Sequence, residues 1–412
     1  MTFIAIFIVL IFIYSLVSER LVRTGLTAPI VFTATGLCIV LLLPELREPK
    51  GDLQVFLRIA EAGLVLLLFT DASHTDLRVL KNIRNLPARL LSIGMLLTIL
   101  FGALGALVFF RKLSLWEAGI LAAILAPTDA GLGQVIVNSP RVPMRIRQAL
   151  NVEAGLNDGL SVPFLLFFIA LAGTSLQNLH VHLAPYILTQ LGVGTVIGLG
   201  IGLVGGWFLG LANRQKSMAV SFQQIGVVAL PLTCALTSEA AGASMFIAAF
   251  VAGFAVQVGF KEAGKHSLEF TEEWGQLLNL FVFFLFGVLV GRLVQQFTTA
   301  MLLYAIFSLT VVRMLPVALA LIGTRLSKAS VIFMGWFGPR GLASIVLGLV
   351  YLERQAHLPG EATIKLTVTV TVLLSIFAHG MSAIPGIELY AAKIAAIGAN
   401  AAEHQGNNAG LP

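Results

Sequence analysis

An aspartate, Asp158, follows Asn157 inside an apolar stretch long enough to cross a membrane, and Glu153 precedes it by five residues. An ionised side chain near the centre of a bilayer costs at least about 2.5 to 3.5 kcal/mol, so a chain keeps one there for a partner, an ion or a proton path. A desolvated carboxylate of this kind can hold either a proton or a small cation. If each side of the membrane reached Asp158 in turn, competition between the two ligands would itself be an exchange mechanism.

Asn157 has an amide where a second acid could have stood, so the pair supplies one titrating charge. We therefore predict an electrically silent cycle in which one proton is exchanged for one monovalent cation. A structural alternative stays open, in which Asp158 pairs permanently with an arginine inside the membrane. Glu153 is predicted to form a structural pair with Arg313 of a later span, since a guanidinium stays protonated and contributes no transported proton.

Two apolar runs contain a proline beside a charged residue. The first has Pro127 followed by Thr128 and Asp129, and the second has Pro339 followed by Arg340. Both helices are predicted to break within the membrane, because proline removes a backbone donor and the freed groups need polar partners. Thr128 is predicted to offer oxygens to an ion, while Asp129 and Arg340 are predicted to compensate the dipoles of half-helix ends. Plain proline kinks, and direct ion ligation by Asp129 or Arg340, are the alternatives.

The elements that must position these residues are transmembrane helices. The chain is 58% hydrophobic and 11% charged over 412 residues, whereas a soluble domain is about 25% charged. This composition predicts an all-α polytopic membrane protein. The net charge of +6 lies in short loops, where it predicts orientation in the lipid bilayer and no nucleic-acid partner. The two cysteines lack metal-ligand spacing, and no cofactor is expected.

About thirteen apolar runs can cross the roughly 30 Å of hydrocarbon in a bilayer. They define a transmembrane domain over residues 1–385 and a short cytoplasmic tail over 386–412. Sixteen of the 26 Lys and Arg residues fall in the odd-numbered loops, at their borders or in the tail, and seven fall in the even-numbered loops or at their borders. This excess predicts a multi-pass protein of the cell (inner or plasma) membrane with its N-terminus outside and its C-terminus in the cytoplasm. The predicted spans are 2–18, 28–43, 54–71, 86–110, 116–138, 146–172, 184–212, 218–238, 241–260, 274–291, 297–323, 329–352 and 364–385.

The two interrupted spans are the fifth and the twelfth, so an odd offset places them in opposite orientations. Spans 1–6 and 8–13 are therefore predicted to be two inverted six-helix repeats, with the glycine-rich seventh span as a closely packed connector. Such paired broken helices are typical of secondary transporters with a site at the midplane. Near the predicted end of span three, Asp71, His74 and Asp76 are interpreted as a solvated boundary, with a cytoplasmic funnel or pH-sensing contact as the alternative.

Taken together, these segments resemble monovalent cation/proton antiporters of the NhaP and sodium/proton exchanger type over nearly the whole chain. The resemblance implies an NhaA/NhaP-like fold of thirteen helices with crossed unwound helices, and a homodimer whose core domains move like elevators. It implies a dimerisation part mainly in spans 1–3 and 8–10, and a core part mainly in spans 4–6 and 11–13. It also implies a Glu153/Arg313 ion pair, with Asp129 and Arg340 at the two unwound crossings. The segments that carry it are Ala126-Pro127-Thr128-Asp129, the run from Asn151 to Gly159, Arg313, and Gly338-Pro339-Arg340-Gly341.

The same resemblance assigns the ion site. It implies that Asp158 is the essential carrier of cation and proton, that Asn157 is its partner in the electroneutral signature, and that Thr128 belongs to the first unwound crossing. Asp158 and Thr128 are thus the expected ligands of Na+ or K+. One departure concerns the choice of ion: many members have a serine directly after the glutamate, whereas this chain has Ala154. Water could replace the missing hydroxyl, or the choice among Na+, Li+ and K+ could be relaxed.

The predicted function is an electroneutral Na+/H+ antiporter that serves pH homeostasis, with K+/H+ exchange by the same mechanism as the alternative. A cation channel that uses Asp158 as a selectivity residue is a more remote alternative, and the predicted inverted repeats argue against it. An enzyme is not expected, because the chain has no HExxH or GxSxG motif and no second aspartate placed for a protease dyad. The expected partners are monovalent cations, protons, lipid and a second copy of the chain.

Overall fold

The computed structural model describes residues 2–43, 53–74, 85–173, 185–186, 188–260, 264–353, 358–396 and 402–404. Within these ranges the chain folds into helices, without a β-strand. Seven of the helices are long and apolar enough to cross a membrane, and four apolar helices are shorter. The predicted all-α membrane class is therefore confirmed.

Each predicted span overlaps one helix or a run of two or three consecutive helical segments. The helix before α4 begins as a short α-helix, Asn85–Arg89, and a π-helical turn, Leu90–Gly94; a second π-helical turn, Leu188–Val193, precedes α8. The main helices are α1 (Thr2–Arg23), α2 (Ala28–Leu42), α3 (Leu53–His74), α4 (Met95–Phe109), α5 (Leu115–Ile124), α6 (Ala130–Val137), α7 (Met144–Gly173), α8 (Gly194–Arg214), α9 (Val220–Ala240), α10 (Met245–Gly259), α11 (Gly264–Leu293), α12 (Thr299–Leu309), α13 (Val311–Ala320), α14 (Lys328–Trp336), α15 (Leu342–Glu353) and α16 (Glu361–Ala395).

The helices pack in two groups that meet around α3, α7 and α15. In one group α11 packs along α2 and α3, while α10 packs against α3, α8 and α9. In the other group α5 packs between α4 and α7, α12 packs on α16, and α13 packs on α14. Helix α3 of the first group contacts α7 and α15 of the second. Polar residues on these helices can therefore face one another across the boundary.

Helix α8 carries a buried glycine at every fourth position, namely Gly194, Gly198, Gly202, Gly206 and Gly210. Four residues make about one helical turn, so these glycines form a stripe along one face of α8. A Cβ on Gly202 would lie 2.7 Å from the carbonyl oxygen of Ala252 on α10. Side chains would thus separate the two backbones, and the predicted close packing of the seventh span is confirmed.

Helix α16 continues past residue 385, where the sequence predicted the end of the last span. It runs to Ala395 and contains Pro385. Its extra turns persist because Ile387, Tyr390 and Ile394 are buried, and Tyr390 stacks on Phe333 of α14 with ring centroids 4.1 Å apart. Part of the predicted tail is thus packed helix.

A short 3₁₀ helix, Ala402–His404, returns from this tail to the start of α14. The Glu403 side chain is only 2% exposed. Its Oε1 atom accepts hydrogen bonds from the Ser327 backbone N–H at 2.8 Å and from the Ser330 hydroxyl at 2.7 Å. Arg145 near the start of α7 donates to the Ala402 carbonyl. The tail therefore links the start of α7, which carries the predicted site residues Glu153, Asn157 and Asp158, to the start of α14, which leads to Arg340; residues 405–412 lie outside the described ranges.

Candidate functional site

The two proline-containing segments are unwound and touch each other. Helix α5 ends at Ile124 before Pro127, and α14 ends at Trp336 before Pro339. The backbone N–H of Asp129 donates to the Pro339 carbonyl at 2.7 Å. Each break leaves backbone groups without helical partners, and here the other break supplies one of them. The residue pattern predicted both breaks, whereas the crossing of the two broken helices was implied only by the family resemblance.

Asp129 caps two half-helices with one carboxylate. It is 4% exposed; Oδ1 accepts from the Leu132 N–H at 2.8 Å at the start of α6, and Oδ2 accepts from the Leu342 N–H at 2.6 Å at the start of α15. Negative charge is favourable at a helix N-terminus, and both N-termini converge on it. A Cβ on Gly341 would lie 2.1 Å from Oδ2, so this approach requires glycine.

The Arg340 side chain lies at a helix C-terminus, that of α5. It is fully buried, and its Nη1 donates to the carbonyls of Ala126 at 2.7 Å and Pro127 at 2.9 Å, just after α5 ends. A cation at a helix C-terminus is stabilised by the negative end of the helix dipole. The Arg340 backbone N–H donates to the Ser375 hydroxyl of α16 at 2.6 Å, which fixes the second unwound segment. Sequence reasoning overlooked Ser375, because nothing in a run of small and apolar residues marks one hydroxyl as this partner.

The structure brings Glu153 and Arg313 together as a bidentate ion pair. Nη1 of Arg313 donates to Oε1 of Glu153, and Nη2 donates to Oε2 at 3.0 Å. Both side chains are buried, at 5% and 3% exposure. The pair joins α7 to α13, and a Cβ on Gly338 would lie 2.1 Å from the Arg313 Nε. The second unwound segment therefore rests against this ion pair.

Asn157 forms two hydrogen bonds with Thr128. Its Nδ2 donates to the Thr128 hydroxyl at 2.7 Å, and its Oδ1 accepts from the Thr128 backbone N–H at 3.2 Å. Both residues are 3% exposed. The amide is therefore engaged with the first unwound segment, and it fixes Thr128 relative to the adjacent Asp158.

Asp158 is partly buried on α7. Its Oδ1 atom is enclosed and accepts no hydrogen bond from the part of the chain that the structure describes. The carboxylates of Asp129 and Asp71 lie close enough to repel it, and Arg340 lies close enough to attract it. A buried acceptor without a donor is costly. The arrangement suits a carboxylate whose partner is a proton or a cation.

Asp71 lies closer to this group than its sequence position indicated. A Cβ on Gly155, three residues before Asp158, would lie 3.2 Å from the Asp71 Cβ, and the Asp71 carboxylate interacts electrostatically with Glu272 and Asp129. Helix α3 continues to His74, so Asp71 lies within the helix and packs on α7. The solvated boundary that the sequence favoured does not describe Asp71; the side chain of His74, and Asp76, lie outside the described residues.

A small cavity separates the first unwound segment from α7. It measures about 20 Å³, and its lining includes Thr128, Asp129, Glu153, Ala154 and Pro339. A site of about 10 to 15 Å³ is enough for one water molecule when polar partners line it. Ala154 leaves room in a place where a serine hydroxyl would enter. The cavity is thus large enough for one water-sized occupant beside Thr128.

The profile of the family "Sodium/hydrogen exchanger, transmembrane" matches residues 6–387. Over 338 residues the chain is 25% identical to the K+/H+ antiporter NhaP of Alkalimonas amylolytica, a match that covers 81% of this chain and 57% of that protein. Over 260 residues it is 25% identical to Na+/H+ antiporter 2 of Zygosaccharomyces rouxii, covering 59% of this chain and 32% of that protein. The chain thus spans between about a third and somewhat more than half of these relatives.

Among solved structures, the fold is similar to that of the sodium proton antiporter MjNhaP1 from Methanocaldococcus jannaschii. The TM-score is 0.76 at 19% sequence identity, and the superposition covers 96% of this chain and 99% of the other. At this identity the likeness establishes a shared fold.

Proposed function

The chain belongs to the sodium/hydrogen exchanger family, and we propose that it is an electroneutral antiporter that exchanges one monovalent cation, Na+ before others, for one proton. The observation that carries this proposal is the environment of Asp158. Its enclosed Oδ1 atom has no donor among the described residues, and Asp71 and Asp129 add negative charge nearby. Binding of either a proton or a cation neutralises Asp158, so the two ligands exclude each other.

Thr128 and Asp158 form the proposed cation site. Asn157 bonds Thr128 through both ends of its amide and is covalently joined to Asp158. The unwound segment and the carboxylate therefore keep their relative positions, and Thr128 oxygens can join the carboxylate around one ion. Asn157 acts in this site as a positioning residue.

The charge balance follows from the neighbouring groups. Arg313 is paired with Glu153 in a buried bidentate contact, and Arg340 is bound to the carbonyls at the end of α5. Guanidinium groups stay protonated, so neither arginine carries a proton through the cycle. One carboxylate that releases one proton for one cation leaves the transported charge unchanged.

Alternating access is proposed to be elevator-like movement of the core part, mainly spans 4–6 and 11–13, against a dimerisation part, mainly spans 1–3 and 8–10. Support comes from the bonds of the crossing, because Asp129, Arg340, Asn157 and Arg313 tie core helices to one another. Such a group of helices can move as a unit. We further propose a homodimer in the cell membrane with the N-terminus outside.

K+/H+ exchange is the second candidate. It is favoured by Ala154, which removes a hydroxyl that would complete a small ion's shell, and by the cavity beside it, which can hold water. One curated relative is named for K+ and another for Na+. A series of Li+, Na+, K+ and Rb+ in one assay separates the two candidates.

The deciding experiment is exchange in everted vesicles with a pH-sensitive dye. We expect Na+ or K+ to dissipate a preset proton gradient in wild type, and Asp158→Asn to abolish the response. Glu273→Gln, which neutralises an exposed carboxylate on α11, is the matched control and is expected to keep wild-type exchange. Full activity of Asp158→Asn contradicts the proposal, and a flux that depends steeply on voltage indicates a channel instead.

Solid-supported-membrane recording tests the stoichiometry separately. A one-for-one exchange moves no net charge, so we expect no sustained current during turnover that the dye assay detects. A sustained current proportional to the exchange rate would contradict electroneutrality while leaving antiport intact.

A further inference from the structure

Asn279 on α11 is a buried amide that the exchange site described above does not use. It is 9% exposed, and its Oδ1 atom has no hydrogen-bond partner within the described ranges. Helix α11 packs along α2 and α3, where an apolar side chain of similar volume would bury well. A lone amide with an unsatisfied oxygen weakens such packing, and the oxygen has the capacity to bind a polar ligand.

The Asn279 side chain reaches the first unwound crossing. The position of a Cβ on Gly131, the second residue of α6, lies 3.6 Å from the Asn279 Nδ2 and 3.1 Å from the Asp129 Oδ1. Since Gly131 has no side chain, the space between the two polar groups stays open. The amide thus faces the N-terminal end of α6 from a helix outside the core part.

The same face of α11 carries a second polar residue, Glu272. It precedes Asn279 by seven residues, which is about two helical turns, or roughly 10 Å along the axis. Glu272 interacts electrostatically with Asp71, and Asp71 interacts with Asp158. Helix α11 therefore presents an acid and then an amide toward the acidic residues of the site.

We propose that Asn279 is a further cation ligand of the exchange site, supplied by α11 through its amide oxygen. The proposal rests on the antiport function proposed above. A neutral amide oxygen is a suitable ligand for a monovalent ion, and it adds an oxygen to a site where Ala154 has none. Rotation of the amide exchanges its oxygen and nitrogen, so the oxygen can take the place beside the crossing that the nitrogen has in this structure when a cation binds.

A ligand on α11 has a consequence for the transport cycle. In the elevator-like motion α11 belongs to the dimerisation part, whereas Asp158 and Thr128 belong to the core part. The Asn279 oxygen is then available to the cation in one of the two end states only. Differential binding of this kind shifts the equilibrium between the states and gives the cation a different affinity on each side.

The test is the dependence of exchange on cation concentration for Asn279→Leu and Asn279→Ser. We expect Asn279→Leu to raise the apparent KM for Na+ and K+ about tenfold or more while Vmax changes little, and Asn279→Ser, which keeps an oxygen, to lie between it and wild type. A variant that only loses packing would have a lower folded yield and a lower Vmax, without the increase in KM. Asn213→Leu, an amide removed on α8, is the control and is expected to keep the wild-type KM.

The outcomes separate this inference from the proposed function. Wild-type exchange that depends on Asp158, with an unchanged KM in Asn279→Leu, overturns the Asn279 assignment and leaves antiport standing. A wild type without exchange removes both proposals. If Asn279→Leu does not fold, Asn279→Ser decides: a raised KM supports the ligand, and a wild-type KM rejects it.

Discussion

Arg313 and Glu153 illustrate how a buried charge is tolerated in this molecule. Each side chain is almost wholly buried and bonds the other at two points. Taking two ions out of water costs several kcal/mol each, and the bidentate contact offsets much of that cost. Removal of one partner is therefore expected to lower the stability of the protein more than removal of both.

Arg313→Ala is expected to destabilise the protein by about 3 to 5 kcal/mol, because it leaves the Glu153 carboxylate buried without a partner. Thermal unfolding in detergent and the folded yield measure the effect. The cation KM of the surviving protein should change little, since the pair is assigned a structural role. A normal melting temperature together with an altered cation preference would show that Arg313 acts on the ion.

The double variant Glu153→Leu with Arg313→Met is the matched control. It removes both charges and keeps similar volumes, so it should recover most of the stability that Arg313→Ala loses. Equal destabilisation in the two variants would mean that packing around Arg313, and not the unpaired carboxylate, sets the cost.

At the scale of helices, the unwound crossing depends on groups that lie far apart in sequence. Asp129 caps α6 locally and caps α15 across the crossing. Arg340 bonds the end of α5 in return. Three half-helix ends, those of α5, α6 and α15, are thereby held through two side chains, and glycine at position 341 lets Asp129 approach.

Gly341→Ala is predicted to impair exchange at least tenfold. Its Cβ would fall 2.1 Å from the Asp129 Oδ2, so Asp129 must leave the α15 N-terminus, a loss of about 0.5 to 2 kcal/mol for the cap alone. Gly133→Ala on α6 is the matched control, because its Cβ meets nothing within 4 Å. The control should keep exchange and gain up to about 1 kcal/mol of helix stability. Exchange in vesicles, normalised to the amount of protein, measures the effect. Wild-type exchange rates in both variants would contradict the prediction.

At the scale of the whole molecule, the tail segment Ala402–His404 is hydrogen-bonded to α7 and to the start of α14. Burial acts to raise the pKa of Glu403, but hydrogen bonds from the Ser327 N–H and the Ser330 hydroxyl outweigh it, so its pKa lies below the ordinary value of 4.5. A carboxyl with a depressed pKa stabilises the docked tail above its ordinary pKa. That contribution is lost as the pH falls through the depressed value.

We expect the tail to remain docked at neutral pH and to be released below about pH 4.5. Hydrogen–deuterium exchange of the amides in 402–404 measures the docking, and it should accelerate on acidification. Glu403→Gln should accelerate it already at pH 7, because the amide is a weaker acceptor. Glu388→Gln, which changes an exposed carboxylate near the end of α16, should not. Equal protection in Glu403→Gln and wild type would contradict this account.

Local patterns in the sequence determined the class of the protein and much of its site. Apolar run length predicts the helices, proline at positions 127 and 339 predicts the breaks, and charge inside apolar runs marks Asp158, Asp129 and Arg340. Each of these signals needs only neighbouring residues. The helix ends were less predictable. Helix α16 extends beyond its predicted end because packing of Tyr390 on Phe333 stabilises its last turns.

Apart from the Glu153/Arg313 pair, which the sequence predicted, only the tertiary structure decided which groups meet. The contact of Asp129 with Leu342 joins residues 213 positions apart. Asn279 reaches the first unwound crossing from α11, and Asp71, which the sequence placed at a solvated boundary, packs against Gly155 of α7. The physical reason is that hydrophobic periodicity reports the environment of a residue, whereas a ligand set depends on how separate helices pack against one another. The sequence thus specified a carboxylate inside the membrane, and the packing of α3 and of the two unwound segments against α7 specified the charged groups near it.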